Sequence, residues 1–390
     1  MRKQKRNKLP TTKLPQEICL EILVKLPIKA ILRFRCVSKL WCSLIDDPHF
    51  TSTHLKNQHK LQDESRLLVL EPHEMCDRNQ LGAIRRSDTF RRMSKHEFGI
   101  DWSIHYHATG YINGVLCVKK YITAEVLPVQ IFLWNPSIRK ALEIPLPRAA
   151  KSKAIIDNID CAFGFDPITN DYKIVASLYI RGEHHFPKFV EIYTLSKNSW
   201  KFFEKEKYPI LWDKYRPKAY LNGLIYWMGI DLLENTPKGK FSHLVSFNVD
   251  KEALNYIDLP DCEIFDDPDH ERFPIVLDQS IAIMDIYPKY TSIWAMRENS
   301  WFKRYTINLQ LFQKCVFLKS DGNLLHRGEQ GGMSSYNLES TEVKGISKSY
   351  KVVPYFTSAY MESLVLLNGF DDRNVFTFPN GEKNFTCKFK

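Results

Sequence analysis

The stretch VSFNVDKEALNYIDLP, residues 245–260, sets out a pattern that most of this chain repeats. A strand of alternating polarity carries an aromatic residue, Phe247, and a short polar turn leads into a second strand that ends at a proline. A period of two is typical of half-buried β-strands, so the stretch predicts a β-hairpin. Another hairpin is predicted just upstream in AYLNGLIYWMG, residues 219–229, where Asn222-Gly223 is a strong signal of a tight turn. Together the two hairpins would form one four-stranded sheet.

The same figure recurs along the chain, each time after another pair of predicted strands. Its further copies are FLWNPSIRKALEIP (132–145), VEIYTLSKNSWKFF (190–203), SIWAMRENSWFKRYTI (292–307) and SSYNLESTEVKGI (334–346). The aromatic residues at the equivalent position lie 42 to 59 residues apart and are Trp134, Tyr193, Phe247, Trp294 and Tyr336. That spacing is close to the length of a four-stranded propeller blade. The repeats therefore predict five blades.

A propeller also needs ring closure, because an open ring would leave strand edges unpaired. Two strand-like runs lie outside the five copies: SRLLVLE, residues 65–71, and AYMESLVLLN, residues 359–368. We expect these runs to pair and to complete a sixth blade. The predicted fold class is α+β multidomain, with a small N-terminal unit of three helices followed by a mainly-β, propeller-like domain of about six blades.

The N-terminal stretch LPQEICLEILVKLPIKAILRFRCVSKLWCSLIDDPHF, residues 14–50, follows a helical period instead. Pro15 is placed to begin a first helix, Pro27 to end it, and Ser38 to cap a third helix after a short second one. A unit of this size rarely buries enough apolar surface to fold alone. Its helices nevertheless carry apolar residues on more than one face, which predicts that another protein covers part of it.

These residues resemble the F-box motif in its plant form, and the match runs through nearly the whole motif without gaps. The matching positions are Leu14, Pro15, Glu17, Ile22, Leu23, Leu26, Pro27, Lys29, Leu32, Arg33, Phe34, Arg35, Val37, Ser38, Lys39, Trp41, Leu44, Ile45, Pro48 and Phe50. Leu40 departs from the family, which often has Ser or Ala there. The phrases FGFDPITNDYKIV and LNGLIYWMG are similar to the plant F-box-associated interaction domain, a degenerate kelch-like family, although the repeated Gly-Gly pair of kelch is missing. SYNLESTEV also resembles phrases of the S-locus F-box group.

The resemblance implies that the helical unit docks a Skp-type adaptor, which joins it to the cullin and RING subunits of an SCF ubiquitin ligase. For the adaptor-binding face we predict Leu14, Pro15, Ile18, Ile22, Leu26, Pro27, Ile31 and Leu32. For the small core of the F-box we predict Leu23, Phe34, Val37, Trp41, Leu44 and Ile45. The propeller would bind a protein substrate, whose identity the sequence does not give.

The expected domain boundaries follow from these patterns. They are a basic, disordered tail at 1–13, the F-box at 14–50, a polar linker at 51–64, the propeller-like domain at 65–370 and a tail at 371–390. Most of the formal net charge of +10 lies in the first tail, which has six basic residues and no acidic one. The nearly neutral propeller argues against a nucleic-acid partner. The basic tail itself is open to two interpretations, a nuclear import signal or a solvated terminus.

Other classes of site find little support in the sequence. The nine cysteines are scattered and form no C-x-x-C pair, so we interpret them as reduced thiols. His105 and His107 lie on one face of a predicted strand, but no third ligand has a suitable spacing, and we expect ordinary surface histidines. Nucleotide-binding and hydrolase motifs are missing, so no catalytic residue, metal or cofactor is predicted. With no run of about 20 apolar residues, we expect no membrane partner and a location in the cytoplasm, the nucleus or both.

The predicted function is that of a non-catalytic substrate receptor in an SCF-type ubiquitin ligase. Two alternatives stay open from the sequence. The helical unit could be a stabilising cap on an enzyme or glycan-binding propeller, or the chain could be an F-box scaffold that binds the adaptor without directing ubiquitin transfer.

Overall fold

The computed structural model describes most of the chain between residues 15 and 377. The described ranges are 15–61, 64–70, 80–97, 104–122, 128–151, 156–180, 189–203, 210–212, 217–231, 243–260, 270–287, 289–298, 300–308, 314–327, 332–347, 354, 356–365 and 375–377. Within these ranges, a group of helices is followed by six antiparallel sheets that form the blades of a propeller. The prediction of a helical unit followed by six blades is confirmed.

The helical unit has four helices where three were predicted. They are α1 (Gln16–Val24), α2 (Ile28–Arg35), α3 (Lys39–Ile45) and α4 (Pro48–Leu61). Pro15 and Pro27 stand at the N-caps of α1 and α2, and the Ser38 hydroxyl caps α3 by accepting the backbone N–H of Trp41 at 3.2 Å. Residues 51–61, expected to belong to a polar linker, are helical instead.

The fourth helix was missed because its buried positions are few and partly polar. Phe50, His54 and Leu55 are the buried residues of α4, while most of the helix is polar. The Asn57 side chain donates to the carbonyl of Val24 at 3.2 Å and so ties α4 to the end of α1. Packing against α1, and not an apolar stripe of its own, keeps this segment helical.

The first three blades take their strands in chain order. Blade 1 contains β1 (Arg66–Leu70), β2 (Gln80–Arg86) and β3 (Arg92–Glu97). Blade 2 contains β4 (Ile104–Ile112), β5 (Val115–Ile122), β6 (Pro128–Asn135) and β7 (Lys140–Ile144), and the 3-10 helix Ala149–Lys151 follows it. Blade 3 contains β8 (Ile156–Asp166), β9 (Asp171–Ile180), β10 (Phe189–Thr194) and β11 (Ser199–Phe202).

The remaining blades follow the same plan. Blade 4 contains β12 (Ile210–Trp212), β13 (Ala219–Leu221), β14 (Leu224–Asp231), β15 (His243–Asn248) and β16 (Ala253–Asp258). Blade 5 contains β17 (Glu271–Leu277), β18 (Ser280–Ile286), β19 (Tyr290–Arg297) and β20 (Ser300–Asn308). Blade 6 contains β21 (Lys314–Leu318), β22 (Asn323–Arg327), β23 (Met333–Asn337) and β24 (Val343–Ser347).

The ring closes in blade 1, where the end of the chain meets its beginning. β25 (Phe356–Ala359) pairs antiparallel with β1, with Leu67 opposite Ala359. The predicted closing run, 359–368, therefore overlaps the real strand at one residue only. Of the apolar side chains that suggested a strand there, Leu364 packs against the helices and Tyr360 and Val365 pack against the blades, whereas the strand itself has the more polar sequence FTSA. A last strand, β26 (Val375–Thr377), lies within the expected tail and pairs with β7 at the outer edge of blade 2.

Each predicted copy of the repeat lies within one blade. The five aligned aromatic residues all lie in the third strand along the hydrogen-bonded order of their sheets, at Trp134, Tyr193, Phe247, Trp294 and Tyr336. All but Trp294 are buried. The Asn113-Gly114 and Asn222-Gly223 turns have positive φ at both residues, as a tight hairpin of this type requires. Gly114 is also required for space, because a Cβ there would lie 2.2 Å from the Cβ of Ser363.

The antiparallel strands give the propeller two different edges. In blades 2, 3, 5 and 6, the turns between the first and second and between the third and fourth strands lie at one edge, and the strand ends joined by the other connections lie at the opposite edge. The helices pack on the first of these edges. His59 of α4 is 2.9 Å from the Asn113 side chain in the first turn of blade 2, and Asn170 in the first turn of blade 3 contacts Ser52.

Candidate functional site

The helical unit exposes an unusual number of large apolar side chains. Their exposed fractions are 44% for Ile18, 49% for Ile22, 38% for Phe34, 65% for Val37 and 60% for Leu40. Ile18 and Ile22 are one turn apart on α1 and form one stripe, while Leu23 points the other way and is fully buried. A concentration of apolar surface on so small a unit indicates a protein-binding face.

The predicted adaptor-binding residues divide into three groups. Leu14 lies outside the described residues. Pro15, Ile18, Ile22 and Pro27 are exposed and Leu26 is half-buried, so these can contact a partner. Ile31 and Leu32, however, are buried, with 0% and 5% of their surface exposed, and the prediction for these two is wrong. They belong to the inner face of α2, where Ile28, Ile31 and Leu32 follow the i, i+3, i+4 spacing of a core stripe.

The predicted core residues also need two corrections. Leu23, Leu44 and Ile45 are buried, and Trp41 is half-buried at the edge of the core. Phe34 and Val37 are exposed instead. Val37 follows the end of α2 and so leaves the helical spacing. The Phe34 ring lies on the outer side of Trp41, with the ring centroids 5.2 Å apart.

The core of the helical unit is completed by a residue from the other end of the chain. Leu364, which follows β25, is 1% exposed and packs with the helical residues Leu23, Ile28, Ile31, Leu32, Ile45 and Phe50. Ile138, in a turn of blade 2, packs against the same cluster. The helices therefore share their core with the propeller.

A polar contact reinforces this junction. One carboxylate oxygen of Glu362 accepts the backbone N–H of Ile28 at 2.9 Å, and the other pairs with Arg66 of β1 at 2.8 Å. The N-terminus of α2 follows a proline and has no side-chain cap of its own, so Glu362 serves as a cap from outside the helix. Sequence reasoning missed Glu362 and Leu364, because residues so distant along the chain leave no local pattern.

A groove opens between α1 and the segment from α3 to α4. It has a volume of about 340 Å³ and is lined by Gln16, Leu20, Glu21, Val24, Lys25, Leu44, Asp47, His49, Phe50 and Thr53. Glu21 and Lys25 lie on α1 between the Ile18 and Ile22 stripe and the groove. The apolar face and the groove thus form one continuous surface.

The propeller contains a buried ionic cluster that joins three blades. Asp160 of β8 is fully buried between the ammonium groups of Lys119, at 3.1 Å, and Lys218, at 2.8 Å. Burial raises the pKa of Asp160, but the two lysines outweigh it and hold that pKa below its ordinary value. His107, expected on the surface, lies beside this cluster, and its buried Nδ1 has no hydrogen-bond partner among the described residues. Burial, together with Lys119, lowers the pKa of His107 to about 4.

A second buried carboxylate lies in blade 5. Asp285 accepts hydrogen bonds from His270, from Arg272 at 2.8 Å and from the Tyr287 hydroxyl at 3.0 Å. Burial raises its pKa, and the bonds to His270 and Arg272 more than compensate, so the pKa falls to about 2. Both oxygens are occupied, which suits a structural role. Within the described ranges, no group of three or more His, Cys, Asp or Glu residues is placed to hold a metal, and no helix has the length and apolar character to cross a membrane.

Comparison with known families agrees with this architecture. Residues 12–53 match the F-box domain, and residues 66–303 match the F-box associated beta propeller domain. F-box protein CPR1 of Arabidopsis thaliana is 24% identical over 386 residues, covering 90% of this chain and 89% of its own. F-box protein At3g07870 of the same plant is 25% identical and covers 76% and 73%.

Other similarities are shorter or more distant. At1g47790 of Arabidopsis thaliana is 28% identical over 181 residues, and the chain spans only 42% of its length. Among solved structures, the oligogalacturonate lyase of Vibrio parahaemolyticus has a TM-score of 0.36 and 7% identity over 73% of this chain and 84% of its own. That likeness is too low to bear on activity. With a family match over more than half of its length, the chain belongs to the plant F-box proteins that carry an F-box-associated β-propeller domain.

Proposed function

We propose that this protein is the substrate-recognition subunit of an SCF-type ubiquitin ligase. The F-box helices dock a Skp-type adaptor, which brings cullin and RING subunits, and the propeller binds the target protein. The observation that carries the proposal is the concentration of exposed large apolar residues on the F-box, from Ile18 to Leu40. A free protein with such a surface is expected to have a partner for it.

The adaptor would bury the stripe of Ile18 and Ile22 first. Full burial of one aliphatic side chain is worth roughly 1.5 to 3 kcal/mol, and binding energy concentrates in a few such residues. Pro15, Leu26 and Pro27 continue this stripe at the two ends of α1. Phe34, Val37 and Leu40 supply a second group around the connection from α2 to α3.

The junction between helices and propeller supports a role in positioning. Leu364 and Glu362 join the F-box to the blade that closes the ring, so the adaptor and a target on the propeller would be held in a fixed relation. Such an arrangement favours a receptor that acts by proximity, since holding a target lysine near a charged ubiquitin-conjugating enzyme makes the transfer effectively intramolecular. The chain itself would form and break no bonds, and it would work in the cytoplasm, the nucleus or both.

The test is reconstitution with purified adaptor, cullin and RING subunits and a target captured from the native tissue while degradation is blocked. We expect ubiquitin transfer to the target with the wild-type chain and loss of transfer when Ile18→Asp and Ile22→Asp are combined. Met93→Asp, at a residue of β3 that is 52% exposed, is the matched surface control and should leave transfer intact. A target that binds but stays unmodified in the complete complex would favour the scaffold alternative, and transfer that is unaffected by the double substitution would contradict the proposal.

A further inference from the structure

The turn between β8 and β9 presents an apolar residue beside the F-box. Ile168, at its tip, is 75% exposed, more than any of the apolar residues on the helices. The turn lies within the stretch FGFDPITNDYKIV. Packing in the buried core accounts for the other large apolar residues of this stretch but not for Ile168. The turn lies at the edge of the propeller that carries the helices.

Hydrogen bonds within the turn fix the backbone at Ile168. The Asp166 carboxylate accepts the backbone N–H groups of Ile168 at 2.9 Å and Thr169 at 3.3 Å, and also the Thr169 hydroxyl at 2.6 Å. Pro167 packs on the neighbouring hairpin of blade 4, where a Cβ on Gly223 would lie 3.2 Å from the proline ring. Because the backbone at Ile168 is already ordered, a partner that covers this residue has less conformational entropy to remove.

The same turn touches the F-box. Asn170, with a positive φ of 54°, places its side-chain amide 3.4 Å from the Ser52 hydroxyl on α4. On the same helix, His49, Phe50 and Thr53 line the groove that α1 closes. The surface therefore continues from the α1 stripe through the groove and across α4 to Ile168.

We propose that the propeller contributes Ile168 to the adaptor interface, and that one segment of the adaptor lies in the groove and reaches over α4 to this residue. The inference rests on the proposed function, because the adaptor is the partner expected on α1. The segment would carry apolar side chains for Leu20 and Val24. Two carboxylates, Glu21 and Asp47, line the groove against one ammonium, Lys25, so the segment should also have a net positive charge.

Calorimetric titration of purified adaptor into the full-length chain tests this. We expect Ile168→Asp to weaken binding about tenfold and Ile168→Val to restore most of the affinity. The matched control is Val343→Asp, at a residue of blade 6 that is 47% exposed on the same edge, and it should change the affinity less than twofold. Equal affinity for wild type and Ile168→Asp would overturn the inference while leaving the proposed function intact. No binding by the wild type would overturn both.

A photo-crosslinking amino acid at position 168 of the full-length chain gives a second readout that does not depend on stability. The adaptor should be the protein crosslinked, through an apolar segment with basic residues nearby. Crosslinks to a second copy of the chain, or to adaptor residues without this character, would contradict the proposal.

Discussion

The helical unit and the propeller differ in where their cores come from. The helices complete theirs with Leu364, a residue of the opposite end of the chain, and leave large apolar side chains exposed. The propeller fills its core from facing blades, as in the cluster that joins Cys117 of blade 2 to Cys161 of blade 3. The helices therefore depend on the propeller for part of their core, and the proposed adaptor would cover their exposed apolar surface. The dependence in the other direction should be weak.

The largest effect is expected from removing the closing strand. A chain that ends at residue 353 lacks β25 and the 360–365 segment, so the ring stays open and the helices lose Leu364. We expect the truncated chain to aggregate and to lose cooperative thermal unfolding. The control ends at Val365 and keeps both features, and it should melt close to wild type. A soluble, monomeric, cooperatively melting protein without residues 354–390 would contradict ring closure by β25.

Asp160→Asn should be the most damaging single change within the propeller. It leaves two buried lysines without their counter-charge, and removing one member of a buried pair costs about 3 to 5 kcal/mol. Urea unfolding at neutral pH measures the loss. Replacing Asp160, Lys119 and Lys218 together by apolar residues of similar size should recover much of it, and a triple variant as unstable as Asp160→Asn would show that the charges are not the cause.

Leu364→Ala should destabilise the helices and leave most of the propeller unaffected. A buried Leu→Ala change costs about 2 to 5 kcal/mol, and the cavity lies among the helices. Hydrogen exchange should therefore speed up in α1 and α2 and stay almost unchanged in blades 3 to 6. Glu362→Gln should give the same pattern more weakly, since a helix cap is worth about 0.5 to 2 kcal/mol. An equal rise in the hydrogen-exchange rate in the helices and in the blades would contradict the idea that the helices depend on the propeller but not the reverse.

Stability should also depend on pH through His107. Its pKa is about 4 in the folded chain against 6.5 for an ordinary histidine, so the unfolded chain takes up the proton first. The free energy of unfolding should fall as the pH is lowered from 6.5 towards 4. Lys119 and Lys218 reinforce the effect and Asp160 opposes it. Denaturant titrations at several pH values measure the slope, and His107→Gln should flatten it. An equal slope in the variant would assign the effect to other groups.

Much of this fold could be predicted because blades are local. The residues that form one hairpin lie within about 20 positions of one another, as around the Asn222-Gly223 turn. The repeat is recognised from the spacing of Phe247 and the equivalent aromatic residues. The predictions that failed depend on contacts between residues that are distant along the chain. Ile31 and Leu32 could not be assigned to the core without knowing that Leu364 lies against them, and α4 is stabilised by contacts with α1 that its own composition does not show. Phe34 was assigned to the core because an apolar residue on a short helix can face either way, and Val37 because the sequence does not show that α2 ends at Arg35.

One titration distinguishes binding of the proposed adaptor to the exposed face of α1 from a purely structural role of that face. Purified adaptor is titrated calorimetrically into the wild-type chain and into a chain with Ile18→Ser and Ile22→Ser, and the melting temperature of each is recorded. Because both residues are about half exposed, melting should hardly change, whereas binding should weaken by about tenfold to a thousandfold. Undiminished binding by the double variant, or a large drop in its melting temperature, would contradict the account.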